Sequence, residues 1–198
     1  MIMSTSEPKN SLYRSIIAVS NRHLCSRPLT VQTARVCECH PYAFLLREKD
    51  LTEPAYAKLA ADILDICRSY RVPCILHTYP EAARILKCDS IHLPLDLLRK
   101  QYSDLGDFTV IGTSVHSVEE AQEAERLGAT YITAGHIYTT DCKKGLPPRG
   151  TDFLRSVCSR VSIPVFAIGG IHPDPVQIRE ITDCGASGGC MMSEMMTL

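Results

Sequence analysis

Eight short β-rich runs, the helical or connecting segments between them and the absence of any linker or repeat predict one α/β domain, a (β/α)8 TIM barrel. The runs are residues 13–20 (YRSIIAVS), 42–49 (YAFLLREK), 73–78 (PCILHT), 90–94 (SIHLP), 108–116 (FTVIGTSVH), 130–137 (TYITAGHI), 164–170 (PVFAIGG) and 187–193 (SGGCMMS). Most are nearly continuous in apolar residues, the pattern of parallel strands covered on both faces. The domain is expected over residues 12–198, after a flexible tail at 1–11.

The intervening segments carry helix signals in order. Residues 28–39 are a weak helix, rich in Thr, Val and Cys. Residues 53–70 place Tyr56, Leu59, Ala60, Ile63, Cys67 and Tyr70 on one face, with Pro54 in the first turn. Ser117-Val118-Glu119-Glu120 is a capping box; Val118, Ala121, Ala124 and Leu127 form an apolar stripe, and Gly128 ends the helix. Residues 174–184 form a further helix closed by Gly185. Only EMMTL follows the eighth run, too little for a full last helix, so that helix is expected to be missing or truncated. The seam between the first and seventh helices is then either open or covered by another chain.

Composition narrows the function classes. Hydrophobic residues at 45% and charged residues at 22% fit an ordinary globular protein. The near balance of 21 basic and 22 acidic residues gives no basis for a nucleic-acid or membrane surface. The first eleven residues lack a signal-peptide h-region and no run is apolar enough to span a bilayer, so a cytoplasmic protein is expected. The ten cysteines are scattered, as small hydrophobes with reduced thiols would be. The close group Cys37-Glu38-Cys39-His40 has no second pair at metal-ligand spacing, so no metal site is assigned.

In a barrel of this kind chemistry sits at the carboxyl ends of the strands. Those ends carry Arg47-Glu48-Lys49-Asp50, His77-Thr78, Thr113-Ser114, Gly135-His136, Gly169-Gly170 and Met192-Ser193. A Gly-Gly turn after the seventh strand lets backbone N–H groups approach an anion, at the position where such barrels often bind phosphate. Lys143 and Lys144, in the loop after the sixth strand, add positive charge. Among the histidines, His92 is central in a strand and reads as a satisfied core residue, His116 opens a helix and His172 precedes Pro173 in a turn. His23 and His40 lie in irregular segments, and His77 closes the third strand toward the mouth. His136 stands at a strand end among other polar groups, and an ordinary imidazole, titrating near ~6.5, both takes and gives a proton near neutrality.

The stretches LLREKDL, IGTSVHSVEEAQEAERLGATYI, GHIYTTDCKKG and IPVFAIGGI together resemble the thiamine phosphate synthase/TenI superfamily, from about Tyr42 to Ser193. The synthase branch of that family joins a pyrimidine diphosphate to a thiazole phosphate with Mg²⁺ held by two Asp. At the corresponding positions this chain has His77-Thr78 in place of Asn-Asp, and Leu97 in place of the second Asp, with Asp96 one residue early. Thr and Leu do not supply the carboxylate oxygens Mg²⁺ needs. Where the synthase has Gly-Pro, this chain has Gly135-His136, the pattern of the TenI branch of thiazole tautomerases. The resemblance therefore implies a cofactor-independent isomerase that converts the non-aromatic thiazole carboxylate phosphate to its aromatic tautomer, with His136 as acid and base. It further implies phosphate binding by Gly169, Gly170, Met192 and Ser193, and substrate contacts from Arg47, Lys49, Ser114 and Lys143; His77, by its strand-end position alone, and Thr140 are grouped with these as substrate contacts. Arg47 or Lys143 is a candidate holder of the carboxylate. Family members are often dimers, so a homodimer with a small-molecule substrate is expected. The alternatives are a degenerate synthase and a non-catalytic regulatory or ligand-binding protein.

Overall fold

The structure, a computed structural model, describes residues 10–140, 143 and 145–198. Asp141, Cys142 and Lys144 of the GHIYTTDCKKG stretch, and residues 1–9 of the expected tail, lie outside the described residues. Eight parallel strands close into a barrel in sequence order: β1 (Ile16–Val19), β2 (Ala43–Leu46), β3 (Cys74–His77), β4 (Ser90–Pro94), β5 (Val110–Val115), β6 (Tyr131–Gly135), β7 (Val165–Ile168) and β8 (Gly188–Met191). Closure is by β1 on β8, with Ile17 paired to Cys190. Every strand lies within its expected run and most are shorter. The residues trimmed at the carboxyl ends, such as Arg47, His136, Gly169 and Ser193, leave the ladder and turn into the mouth.

Alternation along the strands splits the core in two. Ile17, Val19, Ala43, Leu45, Ile75, Tyr131, Phe166 and Cys190 fill the barrel interior. Ile16, Ala18, Phe44, Leu46, Leu76, Ile91, Leu93 and Ile132 face outward against the helices. Each such fully buried aliphatic side chain contributes about 1.5–3 kcal/mol relative to exposure.

The helices are α1 (Asn10–Tyr13), α2 (Leu29–Glu38), α3 (Glu53–Tyr70), α4 (Pro80–Ile85), α5 (Leu95–Gln101), α6 (Val118–Arg126), α7 (Gly150–Cys158), α8 (Pro175–Asp183) and α9 (Ser193–Met196). The weak sequence of α2 folds because Leu29, Val36 and Cys37 are buried against its neighbours, so packing overrides propensity. Helix α3 matches its expected span and buries Tyr56, Ala60, Ile63 and Cys67. Its Tyr56 hydroxyl donates to Leu46 O at 2.8 Å and accepts from His77 N at 2.7 Å, pinning α3 to β2 and β3. In α6 the Ser117 hydroxyl accepts from Glu120 N at 3.1 Å. The Glu120 carboxylate returns to His116 N rather than to the cap residue itself, a capping box displaced by one position.

Helix α9 packs within the chain against α2 and the turn at Arg22–Leu24. Met195 and Met196 of α9 are fully buried. Gln32 Nε2 of α2 donates to Met195 O at 2.7 Å, and Cys25 Sγ lies 3.6 Å from Met196 Sδ. The truncated last helix is thus four residues long and docked on α2. The nine described cysteines are free thiols. Cys37 faces Cys67 at 3.9 Å, not Cys39 or His40. No helix among the described residues is long and apolar enough to cross a membrane.

Candidate active site

At the carboxyl ends of the strands lies a cavity of about 980 Å³. Loops built from strand ends on a rigid barrel position its walls. Arg47, Lys49, His77, Ser114, His136, Thr140, Lys143, Gly169, Gly170, Met192 and Ser193 all line it, so residues spread over most of the sequence meet in one place.

The loop after β6 forms one wall. His136 follows β6, with the Gly135–His136 peptide bond cis. Its backbone is fixed on both sides: Ile137 N donates to Ile168 O at 2.9 Å, Tyr138 N to Gly169 O at 3.0 Å, and Arg149 N to His136 O at 3.0 Å. The half-buried imidazole places Nε2 3.4 Å from Leu146 O, a long contact. A carbonyl only accepts, so this contact is one that the tautomer with its hydrogen on Nε2 makes, with Nδ1 as the acceptor nitrogen. His116 supports the same turn, its Nδ1 donating to Gly135 O at 2.8 Å.

Gly169 and Gly170 have φ of +97° and +67°. A Cβ on Gly169 would lie 2.3 Å from His136 Cβ, and one on Gly170 would lie 2.5 Å from Thr139 O. The glycines therefore do double duty: they let the β6 loop lie against the β7 end, and they present main chain to the cavity. Their carbonyls are held by Tyr138 N and, at 2.9 Å, by Gln177 Nε2.

Across the mouth, basic groups converge. Lys49 is held below the usual lysine range by burial first, then by the positive charges of Arg47 and Lys143. Between Arg47 and Lys49 the chain alternates, so Glu48 points away from the cavity and is buried. Its carboxylate accepts from Ser20 Oγ at 2.7 Å, Arg22 N at 3.1 Å and Arg22 Nη1 at 3.0 Å, tying β1 to β2 beneath the basic wall. His77 is buried and stacks on His92 with ring centroids 5.6 Å apart. Burial, then the neighbouring His92 imidazole and the charges of Arg47 and Lys49, pushes its pKa well below the ordinary histidine range, so it is neutral.

His116, at a helix start, and His172, in a turn, carry no site signal in the sequence, and both line the cavity. His172 Nδ1 meets Glu194 Oε1 at 2.6 Å on the side of Ser193. Glu194 carried no signal, since the helix that presents it was not expected to form fully. His23 pairs with Asp50 at 3.0 Å, and His40 lies at the opposite end of the barrel, beside Tyr42 and Arg71.

The residues present do not fit a Mg²⁺ ion held by two carboxylates. Thr78 engages His77 Nδ1 through its hydroxyl. Leu97 packs against the core, and Asp96 is paired with Arg99 at 2.6 Å. Among the described residues no group of three His, Cys, Asp or Glu side chains is placed to hold a metal.

Fold and cavity together define a (β/α)8 barrel with a cavity at the carboxyl ends of its strands. Residues 16–195 match the family model TMP-TENI, described as thiamine monophosphate synthase. The chain belongs to that family. It is 29% identical over 191 residues to the thiamine-phosphate synthase of Clostridium acetobutylicum, covering 96% of this chain and 90% of that one. It is 34% identical over 157 residues to the thiamine-phosphate synthase of Halalkalibacterium halodurans, covering 76% and 72%. The structure of the thiamine phosphate pyrophosphorylase from Pyrococcus furiosus superposes with a TM-score of 0.78 at 26% identity, covering 95% and 89%.

Proposed function

We propose that the chain acts in thiamine biosynthesis as a thiazole tautomerase, isomerising the non-aromatic thiazole carboxylate phosphate to the aromatic one. The observation that carries this reading is a histidine on the cavity wall, His136; by the resemblance, the synthase's metal-ligand positions hold Thr78 and Leu97 here, and neither lines the cavity. A proton leaves the ring carbon bearing the carboxylate and one is added at the exocyclic carbon, so atoms and charge balance without a redox partner. His136 Nδ1 takes the proton and the same imidazole returns it. Gly169, Gly170, Met192 and Ser193 hold the phosphate, and Arg47, Lys49, Ser114 and Lys143 contact the substrate, Arg47 or Lys143 at its carboxylate, with His77 and Thr140 completing the wall. We further propose a homodimer, on the strength of the resemblance, and a cytoplasmic location.

The names of the relatives favour a second reading, a thiamine-phosphate synthase. One experiment separates the two. The protein is incubated with the non-aromatic thiazole carboxylate phosphate, and the aromatic product is followed for wild type and His136→Ala. In parallel it is given the pyrimidine diphosphate, thiazole phosphate and Mg²⁺. Tautomer turnover that depends on His136 supports the first reading. Thiamine phosphate formed at an appreciable rate establishes the second instead, and ligand binding without either product points to a non-catalytic binding protein.

A further inference from the structure

Beneath the cavity wall runs a buried polar chain that the catalytic reading leaves unused. It begins at Tyr131, deep in the barrel, whose ring lies so close over Gly112 that a Cβ there would fall 2.2 Å from it. The Tyr131 hydroxyl meets His92 Nδ1 at 2.8 Å, its hydrogen-bond partner among the described residues. A buried phenol with one acceptor in reach donates to it. Nδ1 therefore accepts, and a neutral imidazole whose Nδ1 accepts carries its hydrogen on Nε2. His92 is neutral: full burial, with the charges of Arg47 and Lys49 nearby, lowers its pKa to about 3. Its Nε2–H then donates to Ser114 Oγ at 3.0 Å. Thr133, buried on β6, donates to the same oxygen at 2.9 Å.

Both lone pairs of the Ser114 hydroxyl are thus taken from behind, and Ser114 lines the cavity. We infer that Tyr131 and His92 fix Ser114 as an obligate hydrogen-bond donor to the ligand, so this wall selects an anionic oxygen and rejects a group that donates. Neither Tyr131 nor His92 lines the cavity; both are positioning residues. The inference deepens the tautomerase reading and rests on it for the identity of that oxygen, which is the substrate carboxylate, with Arg47 and Lys49 supplying the charge beside it.

Two measurements test the wiring and the ligand separately. Nitrogen-15 spectra of the free protein report the His92 tautomer, expected as Nε2–H in wild type and shifted toward Nδ1–H in Tyr131→Phe, where Nδ1 has lost its donor. Calorimetry then compares the aromatic thiazole carboxylate phosphate with the thiazole phosphate lacking the carboxylate. Tyr131→Phe and Ser114→Ala each weaken the carboxylate ligand about tenfold, the value of one hydrogen bond to a charged group, and leave the other unchanged. A wild-type His92 hydrogen on Nδ1, or equal weakening of both ligands, overturns the inference. Failure of both ligands to bind wild type refutes the tautomerase reading, while the nitrogen spectra still decide the wiring.

Discussion

Removing the His136 imidazole leaves the cavity, its glycines and its cations in place, because the backbone of that turn is held by Ile168 O, Gly169 O and Arg149 N. His136→Ala is therefore expected to lower kcat for the tautomerisation by about 10²–10⁴-fold, with circular dichroism and melting temperature close to wild type. Glu48 behaves in the opposite way. Its buried carboxylate serves Ser20 and Arg22, so Glu48→Ala strands those donors and costs about 3 kcal/mol in denaturant unfolding. A loss under 1 kcal/mol would show that water replaces the carboxylate. At this scale the sequence displayed residue type and strand-end position, enough to assemble the cavity lining. It did not display direction. REKD reads as four charges, and only the pleat separates Arg47 and Lys49, which line the cavity, from Glu48, which does not. His92 was legible as a satisfied core histidine, yet its partners Tyr131 and Ser114 lie on other strands and no local pattern names them.

At the level of elements, the β6 and β7 ends form one interlocked unit. Gly169 sits where any side chain would meet the His136 backbone and Cβ, at a φ that disfavours one in any case. Gly169→Ala is expected to displace the His136 turn, lowering turnover at least tenfold and stability by about 1–3 kcal/mol. Gly128→Ala is the matched control, since Gly128 has a similar φ of +88° and nothing lies within 4 Å of its Cβ position; equal effects of the two would remove the steric explanation. Strand and helix positions were readable because parallel strands are apolar runs and helices here carry caps and periodic faces, as in α3 and α6. Helix α9 was not, because four residues have no periodicity to read. Its stability comes from Gln32, 163 residues away in sequence from Met195, and from the groove that buries Met195 and Met196, contacts that only closure of the barrel creates.

For the whole molecule, a closed barrel forces polar side chains at the carboxyl end of the interior to share space with the strands' own core, and two histidines pay for that in protonation. His77 and His92 are stacked and buried, both held neutral by burial and by the cations Arg47 and Lys49, with Tyr131 and Ser114 as the hydrogen-bond partners of His92. In the unfolded chain each imidazole titrates near ~6.5. Below that pH the unfolded state binds protons that the native state refuses, so stability rises with pH across this window and falls as the solution is acidified. The depressed carboxyl groups, Asp89 and Asp107 among them, add their own losses only at lower pH, near their unfolded values around ~4. Between pH 7 and pH 5 each buried histidine is therefore expected to remove about 2 kcal/mol of unfolding free energy. Urea unfolding at those two pH values measures the sum directly, and a midpoint that stays constant from pH 7 to pH 5 would show that the paired imidazoles are not kept neutral by the barrel.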